Sequence, residues 1–450
     1  MGSLSRAKLF PAAECEVERL AFEDDISDGR PRFRAAEPGG GAGPGSRFPG
    51  LRPTTANGPG IRGRDAAPPE YYDAPVTQDA QLALPGRLQS LDLFRGATIA
   101  AMILVNNPGD WGTVYWPMLH ASWHGWTPTD LIFPFFLFIV GVSLTLSRRT
   151  GFRAALARAL KLVGLGLLLN LYPYFNVAEL RWPGVLQRIG LCYLAAWAAK
   201  RFLGPRGQTA LAAVLLVGYW LLMTRVVGPE GHPAGLEVQT NLAAQVDRLV
   251  LVPHVWSETK TWDPEGVLST LPAIATALLG LLCGHWLAGR VARGPFKTTL
   301  GLLLGGVALT AVGVAWADLA TPWLAFPINK GLWTSSYVLL TGGLAAAFLG
   351  LSYAVVDVAG LRRWATPFVT YGTNAIAVYV ASGLLADTLS AVRFTAADGS
   401  VTRLHTLLYG FLFASILPPY VASLAWALLM VVLFYLLAAF LDRRGIYLKV

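Results

Sequence analysis

The chain is 450 residues long, 54% hydrophobic and only 14% charged, where a soluble domain carries about a quarter charged residues. That balance excludes an ordinary soluble globular domain and specifies a polytopic membrane protein. The formal charge of +9 does not mark a nucleic-acid binder, because the basic residues cluster in short connections between apolar spans, where Lys and Arg set orientation.

Residues 1–86 come first and read as a disordered Pro/Gly-rich tail. Stretches such as Pro38-Gly39-Gly40-Gly41-Ala42-Gly43-Pro44-Gly45 cannot bury enough apolar surface to offset ordering entropy. No apolar signal-peptide core precedes Leu88. Cys15 lies in this tail, and Cys192 and Cys283 lie in apolar runs, so neither a disulfide framework nor a zinc spacing is visible and no metal is expected.

Residues 87–450 form the membrane domain. Apolar runs recur at about 88–106, 126–147, 155–172, 183–200, 208–227, 267–287, 298–316, 331–357, 366–386 and 419–441, each long enough for a hydrocarbon core of roughly 30 Å. Basic residues follow every even-numbered run: Arg148, Arg149, Arg153, Arg158 and Lys161; Lys200, Arg201 and Arg206; Arg290, Arg293 and Lys297; Arg362 and Arg363; Arg443, Arg444 and Lys449. Those segments belong in the cytoplasm. A further run, 404–417, is short and ends at Pro418-Pro419. Counting it as a span would put the basic C-terminus outside, so it reads as re-entrant or interfacial. The expected architecture is therefore all-α, about ten transmembrane helices in the cytoplasmic membrane, with both termini cytoplasmic. The outer loops, at about 107–125, 228–266, 317–330 and 387–418, hold most of the polar residues that are not basic.

Candidate chemistry lies at the outer ends of the runs. Leu91-Asp92-Leu93-Phe94-Arg95-Gly96 instead opens the first run on the cytoplasmic side, where Asp92 and Arg95 share a face, as an anchoring ion pair or beside a cofactor phosphate. Asn106 and Asn107 end that run; they either terminate the helix or orient a substrate carbonyl. His120 and His124 both carry an imidazole suited to accepting a proton near neutrality, and spacing alone does not separate them. Ser122 and Thr127 offer hydroxyls nearby. Thr127-Pro128-Thr129-Asp130 has the form of a capping box with Pro at the first helical position, so Asp130 caps a helix, serves a site, or both.

Arg188 sits about one and a half turns into its run and needs an anion or several acceptors, such as a phosphate. Asp263 and Glu265 lie at the start of the sixth run, placed to cap it or to bind an amine. Lys330, with Trp333, Thr334 and Ser335, opens the eighth run and suits an anion. Asn374 is an amide in mid-run that needs partners. No Gly-x-Gly-x-x-Gly after a strand, Walker loop, HExxH or Cys-x-x-Cys occurs, which argues against ATP-driven transport by this chain alone.

Leu91-Asp92-x-Phe94-Arg95-Gly96, Asn106, and His120-Ala121-Ser122-Trp123-x-Gly125-x-Thr127-x-x-Asp130-x-x-Phe133-Pro134-x-Phe136-x-Phe138-x-x-Gly141 together resemble the heparan-α-glucosaminide N-acetyltransferase family. Pro183-Gly184-Val185-Leu186-Gln187-Arg188, Asp263-Pro264-Glu265-Gly266, Trp333-Thr334-Ser335-Ser336 and Asn374-Ala375 extend the resemblance across 88–450. The resemblance implies transfer of an acetyl group from cytosolic acetyl-CoA, as co-substrate, to the amine of an amino sugar or glycan on the far side of the bilayer. It implies His120 as the active-site histidine, acting as a base or carrying the acetyl group, with Asn106, Ser122 and Asp130 beside it. Arg188, Lys330, Trp333, Ser335 and Asn374 would serve the acyl donor, and Asn107, Asp263 and Glu265 the acceptor. The position of His124 is commonly Asn in the family, which favours His120.

The chain departs from the lysosomal members, which carry a luminal domain and a preceding helix. Its Ala- and Gly-rich composition suggests a bacterial source, so the reaction class carries over further than the substrate does. The resemblance leaves a homodimer open, although no dimer face is specified by the spans. The competing reading is a transporter or flippase without acyl transfer. It would be built from internal repeats, and none is convincing between 88–227 and 267–441.

Overall fold

The computed structural model describes residues 88–147, 151–321, 323–395, 399 and 401–448. The expected disordered tail, 1–86, lies outside the described residues, as do Arg148, Arg149 and Lys449. Helices take up nearly every apolar run. In chain order they are α1 Gln89–Asn106, α2 Ile132–Leu146, α3 Phe152–Leu171, α4 Val185–Phe202, α5 Pro205–Arg225, the short α6 Leu242–Val250, α7 Thr270–Ala288 and α8 Pro295–Ala317. Then follow α9 Ser335–Ser352, which runs on as a π turn to Val358, α10 Thr366–Thr373, α11 Ala375–Ala391, α12 Leu404–Tyr409 and α13 Pro419–Arg443. The one sheet among the described residues is an antiparallel hairpin, Arg393–Thr395 against Val401–Arg403.

The fold is an all-α membrane bundle. Among the described residues, seven helices are long and apolar enough to cross a membrane, and eight if a bent pair counts as one span. Reaching the expected ten takes α1 and α4 as well. Each is 18 residues long, but α1 carries Asp92 and Arg95, and α4 carries Arg188, Lys200 and Arg201. Such charge is tolerated in a span only where neighbouring helices shelter it, and Asp92 and Arg188 are both buried.

Two expectations need correction. The run 366–386 is not one helix: it breaks at Asn374, and the two pieces meet at 71°. The eighth run becomes helical only at Ser335, so Lys330 does not open a helix. The segment after the hairpin is a short apolar helix, Leu404–Ala414, in keeping with a piece that does not span.

Packing follows small residues and capped ends. The closest helix pairs are α8 with α9, α2 with α7, and α1 with α10. A Cβ on Gly96 would run into the Phe368 carbonyl oxygen, and one on Gly280 into that of Phe138, so backbones touch directly as small residues permit in membranes. The principal core gathers Phe94, Phe138, Leu278, Val338 and Leu349, while Ile103, Tyr371, Trp426 and Phe434 form a second.

Helix ends are closed by side chains from elsewhere in the chain. The Asp357 carboxylate accepts from the N–H groups of Gln89 and Ser90, both at 3.2 Å, at the N-terminus of α1. The Lys200 ammonium donates to Leu144 O at 2.7 Å and lies near Ser147 O at the C-terminus of α2. Both placements match the sign of the helix dipole. The connections 107–127, 172–184, 226–269 and 318–334 meet at one end of the bundle. Representative links are Trp182 N–H to His254 O, Trp123 Nε1 to Leu236 O and Gly125 N–H to Ile328 O.

Replacing Gly96 with Val should separate α1 from α10. Overpacking of this kind costs about 1–3 kcal/mol, and a lowered thermal midpoint in detergent, with Gly164→Val as the control in open space, checks it.

Candidate functional site

A turn of 3₁₀ helix, Pro128–Leu131, leads into α2, and the capping box expected at Thr127 and Asp130 is present. Asp130 closes the capping box and also meets His120. Its Oδ2 accepts from the N–H groups of Thr127 at 3.0 Å and Ala121 at 3.1 Å. Its Oδ1 lies 2.6 Å from Nδ1 of His120. The Thr127 hydroxyl is spent on Leu119 O at 2.5 Å, which fixes the strand of chain carrying the histidine. The Tyr337 hydroxyl donates to the Asp130 carbonyl at 2.5 Å, tying this corner to α9.

An ionised carboxylate only accepts, so the proton between the two groups belongs to Nδ1. That leaves Nε2 as the ring's lone acceptor. The imidazole is half-exposed, whereas Asp130 is buried. A buried carboxylate that orients the imidazole through Nδ1 and leaves Nε2 as the acceptor is an arrangement suited to proton abstraction.

Lys330 completes the group. Its Nζ lies 2.9 and 3.1 Å from the two ring nitrogens of His120 and 3.5 Å from Asp130 Oδ1. Burial pulls its ammonium below the ordinary lysine range, against the opposing pull of Asp130 and Glu265. A rigid turn carries it. Asn329 Oδ1 accepts from Leu332 N–H at 2.8 Å, Thr334 Oγ1 accepts from Asn329 N–H at 3.0 Å, and Trp333 sits at a φ of 54°. His124 has no carboxylate within salt-bridge distance among the described residues; its Nδ1 lies 3.4 Å from the Asn329 amide, and burial lowers its pKa against the pull of Glu237.

A second polar group lies beneath the same loops. Arg181 grips Asp263 with Nε at 2.8 Å and Nη2 at 2.7 Å, and reaches Glu265 at 2.5 Å. Asp263 and Glu265 therefore do not cap α7, which begins only at Thr270; they neutralise an arginine. Asp247 of α6 accepts from Val267 N–H at 2.9 Å and Asp263 N–H at 3.1 Å. Arg188, in the first turn of α4 rather than deeper, donates to Ser269 Oγ at 2.5 Å and Gly266 O at 3.2 Å. It stacks 5.2 Å from the Trp333 ring centroid, and its Nε and Nη1 have no hydrogen-bond partner among the described residues.

Sequence reasoning missed Arg181 and Asp247. The signal for Arg181 was present: by the alternation of spans, 173–182 is also an outer connection.

The remaining candidates are dispersed. Asn106, at the end of α1, and Ser122, in the histidine loop, are both exposed. The Asn107 amide donates back to Ile103 O at 2.8 Å, closing α1. Ser335 is buried and donates to Leu216 O at 2.7 Å. Both amide atoms of Asn374 are buried without a partner among the described residues. Among the described residues, no cluster of His, Cys, Asp and Glu could hold a metal.

A cavity of about 500 Å³ opens between α1, α2, α3, α4 and the α10–α11 break, lined by Arg95, Ser143, Arg158, Tyr193, Thr373 and Tyr379 among others. Arg95 is braced at its wall, donating to Asp92 at 3.1 Å and Ser143 at 2.9 Å. His120 does not line it.

Replacing Arg181 with Met would strand two carboxylates. Breaking a sheltered pair of this kind costs about 3–5 kcal/mol, read as a fall in thermal midpoint far larger than for Arg225→Met.

Burial holds the Asp247 carboxyl at about 6, against the lowering by its N–H donors. The folded chain thus binds this proton more tightly than the unfolded chain. The resulting stability is full below the ordinary carboxylate pKa and is lost as pH rises from about 4 to 6, by about 3 kcal/mol. Asp247→Asn should remove that pH-dependent loss; thermal midpoints of both proteins measured at pH 4 and 7 check it.

A family model described as heparan-alpha-glucosaminide N-acetyltransferase, catalytic, matches residues 87–313. That span includes His120, Asp130, Arg181, Arg188 and Asp263; Lys330 and Asn374 lie beyond it. Heparan-alpha-glucosaminide N-acetyltransferase of Homo sapiens is 32% identical over 361 residues, covering 66% of this chain and 53% of that protein. The Mus musculus protein of the same description is 28% identical over 364 residues, covering 66% and 54%. The chain thus spans about half the length of the curated relatives it matches. With the histidine and its buried carboxylate inside the matched segment, this chain belongs to the heparan-alpha-glucosaminide N-acetyltransferase catalytic family.

Proposed function

We propose that residues 87–450 form a transmembrane acetyltransferase that moves an acetyl group from acetyl-CoA to the amine of an amino sugar or glycan. The observation that carries this reading is the 2.6 Å contact between His120 and buried Asp130, within the segment the family model matches. Residues 1–86 are read as a separate tail.

The direction across the bilayer rests on charge. The basic connections follow the even-numbered runs, at the bundle end opposite His120, and by the positive-inside rule they support a cytoplasmic side there, and with it both termini in the cytoplasm of a cytoplasmic-membrane protein. Acetyl-CoA would approach from there. The cavity lined by Arg95 and Arg158 suits its phosphates at the basic end and its apolar arm within. The acceptor would meet His120 from the other side.

Asp130 acts as a positioning residue: it fixes the Nδ1–H tautomer and steadies the positive ring that forms. His120 Nε2 removes the proton from the acceptor amine as nitrogen attacks the thioester carbonyl. The C–S bond then breaks, and the departing thiolate takes the proton back. Asn106 and Ser122 carry the amide and hydroxyl that would donate to the developing oxyanion in this reading.

A transporter is the second reading, and the broken span beside the cavity is the observation in its favour. Detergent-purified protein, radiolabelled acetyl-CoA and glucosamine separate the two. Transfer should occur, fall to background in His120→Ala, and drop roughly 10²–10⁴-fold in Asp130→Asn. Absence of both transfer and thioester cleavage in the wild type would leave the transporter.

A further inference from the structure

An acceptor amine must sit within hydrogen-bond reach of His120 Nε2 and beside a carboxylate that tolerates its positive charge. One amine already lies against that place. Lys330 Nζ is 2.9 Å from Nδ1 and 3.1 Å from Nε2, set against the imidazole between its two nitrogens, and 3.5 Å from Asp130 Oδ1. Its turn is fixed by Asn329 and Thr334 and by Trp333, which is buried and donates from Nε1 to Thr276 at 3.1 Å. The ammonium is therefore held at the base rather than swept past it on a mobile loop.

We propose that Lys330 is a self-acetylation site: without an acceptor, the enzyme transfers the donor's acetyl group to its own lysine. The inference rests on the acetyltransferase reading and adds to it an internal acceptor. The chemistry balances. The Lys330 ammonium gives one proton to His120 Nε2, and the amine attacks the thioester carbonyl carbon. A C–N bond forms, the C–S bond breaks, and its electron pair leaves on sulfur, which takes the proton from the imidazolium. The second proton on nitrogen passes to water, giving an N-acetyl-lysine, free CoA and one H⁺. Burial favours the neutral, nucleophilic amine, and a tethered amine reacts at an effective molarity that no dilute acceptor matches.

The product is an amide that water does not readily hydrolyse. It removes the cation beside His120 and Asp130 and fills the acceptor's place with an acetyl group. Donor without acceptor would thus switch the enzyme off, and abundant acceptor would protect it by competing for the same position.

The test uses the full chain in detergent with deuterated acetyl-CoA and no acceptor, followed by peptide mass spectrometry. Label on Lys330 should accumulate at least about tenfold faster than on the exposed lysines Lys260 and Lys297, which report uncatalysed acetylation. It should vanish in His120→Ala and fall when glucosamine is added. Preincubation with donor should inactivate wild type progressively, whereas Lys330→Arg should show no such time-dependent decline from its own starting rate. Glucosamine acetylation with Lys330 labelled no faster than Lys260 and Lys297 would overturn the self-acetylation alone. Absence of acetyl transfer to glucosamine and to Lys330 alike would overturn the acetyltransferase reading and this inference together.

Discussion

A carboxylate sealed at the mouth of a helix in a membrane protein has to be met by donors, because the apolar surroundings supply none. Asp130 is that carboxylate, and the geometry around it follows from the requirement. Two backbone N–H groups, Thr127 and Ala121, turn inward to reach one oxygen. The other oxygen draws His120 and lies beside Lys330. The loop 119–130 is thereby folded back on the start of α2, and the turn 327–334 is held above it. The helix cap and the placement of His120 are consequences of the same buried charge.

α4 divides the polar features of the molecule. Val185, Ile189 and Tyr193 recur at four-residue spacing and line the cavity, as residues on one helical face do. Arg188 projects elsewhere, onto Ser269 and the Trp333 ring. Trp333 in turn packs edge-on against Phe133 and Tyr337, and the Tyr337 hydroxyl holds the Asp130 carbonyl. A chain of packed side chains thus joins the wall of the cavity to the histidine corner, although His120 itself does not line the cavity.

Much of this was legible in the sequence where the physics is local. Apolar run length located the helices, since crossing hydrocarbon fixes a minimum length. The Thr127–Asp130 cap and the Asp92–Arg95 pair depend on residues three apart, and both are present. What the sequence hid depends on distant partners or on backbone departures from regular helix. Arg181 meets Asp263 across 82 positions, and nothing in either segment names the other. Apolar character begins at Gly331 and so points to a helix opening at Lys330, but the left-handed Trp333 delays the helix to Ser335 and turns the lysine toward His120. The apolar run through Asn374 gave no sign of a 71° bend, because hydropathy reports burial and is silent on direction.

That bend has a mechanical corollary. α1 and α10 are in backbone contact at Gly96 and Phe368, so neither can slide or part without losing that fit. α11 departs from this fixed pair at Asn374 and continues for 17 residues. The cavity wall therefore turns a corner at the break: α10 is held against α1, and α11 runs on to pack beside α1 and α13 and to meet Tyr172 through Thr388 at 2.6 Å. Asn374, whose amide atoms are both buried without a partner among the described residues, stands at that corner, so a side chain with unspent hydrogen-bonding capacity marks where the wall changes direction.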